Sequence, residues 1–182
     1  MFFEEVSDIE THSEGSLKLS GSVIAIGAFD GVHQGHQAVI GEAVERSKVL
    51  RVPSLAYTFD PPPRFYFQGV RILTPVKEKL TLIKQLEVDY VVVAKFDEFY
   101  ISRPPIDFIK YLKRLNPLEI IVGSDFRFGK NREGDINLLG TYFNVRVMEP
   151  VCCSGGKIIS STRIRELISQ GQIEESFALL GR

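Results

Sequence analysis

Four short segments concentrate residue types that can do chemistry. The first is GAFDGVHQGH, Gly27 to His36. An apolar run ends at Gly27, glycines bend the chain, and a helical stretch begins. Backbone N–H groups at a helix start point outward and attract anions. Gly31 and Gly35 let a phosphate approach the backbone, and His33 and His36 add two donors nearby. Neither GxxxxGK[ST] nor GxGxxG is present, so the loop belongs to neither familiar phosphate-binding type. The same glycines also suit a purely steric strand–helix turn. A zinc pair is the rival use of His33 and His36, although no cysteine lies near them.

The second segment is ISSTRIR, Ile159 to Arg165. Hydroxyls at a helix start, with Arg163 and Arg165 one turn inside, make a second anion cradle. An ordinary cap with two solvated arginines has the same pattern. A polyphosphate needs donors on more than one side, and the two segments together supply them. The third is TFDPPP, Thr58 to Pro63, a stiff wall without backbone donors, followed by Phe65, Tyr66 and Phe67. It suits a flat ring or a rigid connector. The fourth is VGSDFRFG, Val122 to Gly129. There Phe128 can cover a ring and Asp125 can accept a hydrogen bond, or both phenylalanines fold back onto the core.

These segments need a scaffold that brings them together. SVIAIGAF, SLAYTF, VDYVVVAKF, LEIIVG and NVRVME read as strands, and helical patterns separate them. Val76, Leu80 and Ile83 form one such helical stripe, with Thr74 as its expected cap. Ile109, Leu112 and Leu115 form another. The segment from Ser161 or Thr162 to Gly171 reads as a capped helix, and IEESFALL as the last one. Strict alternation implies an α/β fold, a doubly wound Rossmann-like parallel sheet of about five strands. Ligands bind beyond the carboxyl ends of such strands. Topology therefore predicts that the three segments following strands share one crevice.

Composition sets the outer bounds. The chain has 182 residues, 22 Lys plus Arg against 23 Asp plus Glu, and a net charge of −1. That balance argues against nucleic acid as a partner. At roughly 150 residues per domain, one domain is expected. Cys152 and Cys153 are adjacent, so they form no disulfide framework. No apolar run approaches a membrane span, and MFFEEVSDIE lacks the features of a signal peptide. The expectation is a cytoplasmic protein with no membrane partner. THSEGS reads as a loop, and residues 1–20 as an N-terminal extension.

Taken together, the segments resemble a known family. GAFDGVHQGH is similar to the GxFDGVHxGH motif of the FMN adenylyltransferase module of bacterial FAD synthetases. Those enzymes belong to the HUP-like nucleotidylyltransferase superfamily marked by HxGH and ISSTxxR. TFDPPP stands at TFxPHP, VGSDFRFGKNREGD at VGxDFRFGxxxxGD, and ALLGR at the family's LLGR. The resemblance runs from about Val23 to Arg182. It departs at Pro62, where the family has histidine. It implies an adenylyltransferase domain over 21–182, without the riboflavin kinase domain that commonly follows.

The resemblance further implies residue roles. His33, His36 and Arg165 would be catalytic. Gly27, Phe29, Asp30, Gly31, Gly123, Ser161 and Thr162 would bind ATP together with those three. Phe59, Pro61, Pro63, Asp125 and Phe128 would bind FMN. The implied reaction is in-line attack of the FMN phosphate on the α-phosphorus of ATP, giving FAD and pyrophosphate. Mg²⁺ would arrive with ATP, with no protein metal site. Nearby phosphates would favour protonated histidines. The alternatives are the same chemistry on another phosphorylated substrate, or a non-catalytic flavin- or nucleotide-binding module.

Overall fold

Ser22–Ile26 is buried at every position. A strand can be apolar throughout when helices cover both faces of its sheet, and this strand lies near the middle of one. The computed structural model describes residues 10–182. In chain order the elements are β1 (Glu10–Ser13), β2 (Ser22–Ile26), α1 (Gln34–Leu50), β3 (Ser54–Asp60), α2 (Pro63–Gln68), α3 (Val76–Lys84), β4 (Tyr90–Lys95) and α4 (Glu98–Ile101). They continue with α5 (Pro105–Arg114), β5 (Pro117–Gly123), α6 (Ile136–Gly140), β6 (Val145–Met148), α7 (Ser161–Ser169) and α8 (Ile173–Leu180).

The six strands form one sheet in the order β1-β4-β3-β2-β5-β6. Every pairing is parallel. From β2 the chain winds one way to β3 and β4, then returns to add β5 and β6 on the other side. β2 and β5 therefore flank the point where the winding reverses, which is where such sheets open a crevice.

Alternate residues feed two cores. Ile24, Ile26, Leu55 and Tyr57 face α5 with Phe108, Ile109 and Leu112. Val23, Ala25, Ala56 and Val91 face the other side with Val39, Ile40 and Ala43 of α1 and Ile83 of α3. A third, smaller cluster joins Ile164 and Leu167 of α7 to Leu179 and Leu180 of α8. Arg46 of α1 grips the buried Glu119 of β5 with two hydrogen bonds, 2.7 and 2.5 Å. This fixes the helix that opens at the histidines against the strand on the far side of the crevice.

The sheet has one strand more than the five expected. β1 overlaps the start of the segment expected as a loop, and residues 1–9 of the expected extension fall outside the described residues. Its residues, ETHS, are polar and mostly exposed at a sheet edge, so no hydrophobic alternation announces it. Two other local readings change. Thr74 does not cap α3: Pro75 stands at that position and the Thr74 hydroxyl is buried without a partner. Ser160, not Ser161 or Thr162, caps α7, accepting from the Arg163 N–H at 3.3 Å. Pro63, the last residue of the expected proline wall, opens the short helix α2 that carries the aromatics after it, in the first turn, where its missing N–H costs nothing.

Candidate functional site

The β2–α1 turn is built around rings. Phe29 is 1% exposed, and a Cβ at Gly27 would stand 2.5 Å from its ring, so only glycine fits there. The Phe29 ring meets His36 edge-on at 5.5 Å, and His36 stacks on His33 at 3.6 Å. The backbone is strained here: Phe29 and the β-branched Val32 hold φ at 47° and 42°, and Gly31 between them holds 90°. Such conformations at non-glycine residues cost about 1–3 kcal/mol each and mark positions that the surrounding structure enforces.

His33 is the N-cap of α1. Its Nδ1 accepts from the His36 N–H at 3.4 Å. Burial pushes its pKa down to about 4, and the Arg165 cation adds to the depression. The pKa of His36 is likewise held well below the usual histidine value, first by burial, then by His33 and Lys79. Desolvation of the two packed imidazoles favours their neutral form, in opposition to the protonation that nearby phosphates would favour. The Nδ1 of His36 is buried and has no partner.

The start of α7 closes onto this turn. Ser161 Oγ donates to the Asp30 carbonyl at 2.9 Å. Arg165 pairs with the Asp30 carboxylate and donates to the Arg71 carbonyl at 2.7 Å. The other Asp30 oxygen accepts from the Leu73 and Thr74 N–H groups, at 2.9 and 3.2 Å. Asp30 is thus a structural hub beneath the turn, 3% exposed. Arg163, one of the two arginines expected in this cradle, instead holds Glu175 at 2.7 Å and lies 3.2 Å from Cys153 Sγ. Thr162 is exposed and accepts from Arg64 of α2. A cavity of about 640 Å³ lies between residues 70–75 and α7, with Leu73 and Arg165 in its wall.

The expected flavin-side residues are less uniform. Phe59 is buried at the end of β3, while Pro61 and Pro63 are half-buried on either side of the buried Pro62. Gly123 ends β5 and Asp125 is exposed just beyond it. Phe128 is 7% exposed and packs on Phe108 at 5.3 Å within the core. Its ring occupies the interior alternative left open by the sequence.

Two participants were not singled out by the motifs. Arg64 bridges α2 to α7. Lys79 of α3 is 1% exposed and donates to the Phe59 and Ala28 carbonyls, at 2.6 and 3.3 Å. The signal for Lys79 was its position, three residues after Val76 and four before Ile83, on the apolar stripe. Among the described residues no group of three or more His, Cys, Asp or Glu side chains could hold a metal ion. No helix described is long and apolar enough to cross a membrane.

Comparison with known proteins adds three findings. A family model described as FAD synthetase matches residues 16–163. The chain is 60% identical over 165 residues to a protein of Geobacillus thermodenitrificans named for riboflavin kinase and FMN adenylyltransferase activities, covering 91% of this chain and 92% of that one. It is 35% identical to the bifunctional riboflavin kinase/FMN adenylyltransferase of Listeria monocytogenes and 34% to that of Escherichia coli. It covers 87% and 93% of itself in those matches but only 53% and 57% of the relatives, so it spans about half their length. Among solved structures, one titled a macrolide-efflux protein from Streptococcus pneumoniae superposes with a TM-score of 0.82 at 27% identity, over 94% of this chain and 60% of that one. The pantoate–β-alanine ligase of Francisella tularensis, TM-score 0.52 and 14% identity over 92% of this chain and 80% of that one, shares the fold alone.

Proposed function

The chain belongs to the FAD synthetase family, and from that premise we propose that it transfers the AMP group of ATP to FMN, giving FAD and pyrophosphate. The observation that carries the reading is the junction of the histidine turn with the start of α7 through Asp30. Two donor-rich segments, 131 residues apart in the pairing of Ser161 with Asp30, meet where the sheet's winding reverses. A polyphosphate needs that two-sided arrangement.

In this reading an oxygen of the FMN phosphate attacks the α-phosphorus of ATP. The bond from that phosphorus to the bridging oxygen breaks, and pyrophosphate leaves in line. FMN brings its own nucleophile, so the protein's work is positioning and charge stabilisation. His33 and His36 donate ring N–H groups to the phosphates. Their rings are already stacked and packed, so the donors need little reorganisation as charge shifts. Ser161, Thr162 and Arg165 take the far end of the triphosphate. Gly27, Phe29 and Gly31 shape the nucleotide side, with Gly123 across the crevice.

Phe59, Pro61, Pro63 and Asp125 form the flavin side. Phe128 acts from beneath, by holding the Asp125 loop against the core. Mg²⁺ enters as part of the ATP substrate. The Asp30 carboxylate is filled by two N–H groups and Arg165 and is not offered to an ion, so no step is assigned to a protein-held metal.

The test is direct. The protein is incubated with ATP, Mg²⁺ and FMN, and products are separated by chromatography, with riboflavin replacing FMN as control. FAD and pyrophosphate in the FMN reaction alone are expected. Absence of FAD, with FMN and ATP intact, overturns the reading.

A further inference from the structure

Lys79 is a buried cation that the steps above do not use. Lysine is almost never fully buried without a charged partner. Here Nζ contacts two carbonyl oxygens and, among the described residues, no carboxylate at ion-pair distance. The two carbonyls are not arbitrary. Ala28 sits in the histidine turn, two residues before Asp30. Phe59 sits at the end of β3, immediately before the Asp60-Pro61-Pro62-Pro63 segment. Thr58 adds to the same joint, its hydroxyl donating to the Ala28 carbonyl at 3.0 Å. One ammonium therefore ties the nucleotide-side loop to the flavin-side loop. Its charge reaches His36, whose own protonation it disfavours.

We propose that Lys79 is a positioning residue for adenylyl transfer, clamping the two substrate loops at a fixed separation and placing a positive charge with no carboxylate at ion-pair distance beneath the phosphates at their junction. The inference rests on the adenylyl-transfer reading. In-line attack across two half-sites is sensitive to their spacing, and a displacement of about 1 Å can cost about 10²-fold in rate. A positive charge without a carboxylate partner in a poorly solvated site acts on phosphate more strongly than a solvated one.

The clamp and the charge can be separated. Burial brings the Lys79 pKa down to about 8, with Asp60 and Asp30 partly opposing the shift. The groups facing it are Asp60 at the end of β3, Asp30 in the turn after β2, and His36 on α1. Carboxylates and imidazoles do not change charge on the alkaline side of neutrality. A neutral amine still donates two hydrogen bonds, so the clamp survives deprotonation while the charge is lost. For stability the sign is opposite. The folded pKa lies below the unfolded value of 10.5, so the unfolded chain holds the proton longer, and stability rises as pH climbs through about 8.

The experiment measures kcat and KM for ATP and FMN against pH, alongside thermal unfolding midpoints, for the wild type and Lys79→Met. Wild-type kcat/KM, which reports the free enzyme, is expected to fall through about pH 8 while the unfolding midpoint does not. Lys79→Met is expected to lose about 10²-fold in kcat with both KM values little changed. Its alkaline limb should be absent, and its midpoint should be at or above wild type below that pH. Wild-type kcat in Lys79→Met overturns the proposal. So does an activity loss that merely follows a lowered midpoint, or an alkaline limb that persists in the variant. If the wild type forms no FAD at any pH, the adenylyl-transfer reading has failed and the inference falls with it. FAD formation by the wild type with an indifferent Lys79→Met sinks the inference alone.

Discussion

Arg165 on α7 pairs with the carboxylate of Asp30 in the turn after β2, and this ion pair is the joint between the first and last chemical segments of the chain. Both side chains are largely withdrawn from water, at 15% and 4% exposure. Removing one partner leaves the other as an uncompensated buried charge, at a cost of about 3–5 kcal/mol. Asp30→Asn is therefore expected to lower the urea unfolding midpoint strongly. Arg165→Ala should do the same and also raise the KM for ATP more than that for FMN. The double variant should be more stable than the sum of the single losses predicts, because contacting residues couple. Strict additivity would show that the pair is not the joint described.

The stacked histidines predict a pH dependence of folding. His33 titrates near 6.5 in the unfolded chain and at about 4 in the folded one. On acidification the unfolded state takes its proton first. The stability due to the neutral imidazole is fully present above about 6.5 and is lost as pH falls through about 4. His36 is shifted in the same direction and adds to the slope. Protonation of Nδ1 would also break the His33 cap on α1, since that nitrogen is the acceptor. Unfolding midpoints measured across this range should decline more steeply for wild type than for His33→Ala. Parallel curves would remove His33 as the cause.

His36→Ala tests the chemistry instead. Loss of one preorganised donor costs on the order of 10²–10³ in rate. The residue is half-buried and its Nδ1 bonds to nothing, so the fold should survive its removal. The expected result is a collapse of turnover with ATP and FMN affinities largely retained, measured by steady-state FAD formation and by equilibrium titration. Near-normal turnover would exclude His36 from the transfer step.

What was legible in the sequence was whatever repeats or punctuates. The apolar runs at Val23–Ile26 and Leu55–Phe59 gave strands because both faces of this sheet are covered. Glycine and histidine spacing gave the turn, and its position followed from topology. β1 escaped because a polar edge strand has no pattern, and α2 because a proline run masks a helix that begins at its last member. The partners of charged residues were equally hidden. Nothing in the spacing of ISSTRIR tells that Arg165 turns to Asp30 while Arg163 turns to Glu175. Those choices depend on how α7 packs against the turn after β2 and against α8, contacts between segments that sequence periodicity does not encode.

Phe128 and Asp125 separate structure from binding on the flavin side. The Phe128 ring packs against Phe108 at 5.3 Å and Phe126 at 5.7 Å. Its backbone bridges Gly134, with bonds of 3.0 and 2.9 Å that close the loop. A Cβ at Gly134 would meet that ring at 2.6 Å, so the loop is fitted to it. Phe128→Ala opens a core cavity and is expected to cost about 3–5 kcal/mol. Asp125, by contrast, is exposed, and Asp125→Ala should leave stability unchanged while weakening FMN binding. Denaturant unfolding paired with FMN titration separates the two: Phe128→Ala moves the midpoint first, and Asp125→Ala moves only the titration. A Phe128→Ala protein with an unshifted midpoint and reduced FMN affinity would return the ring to direct contact with the flavin.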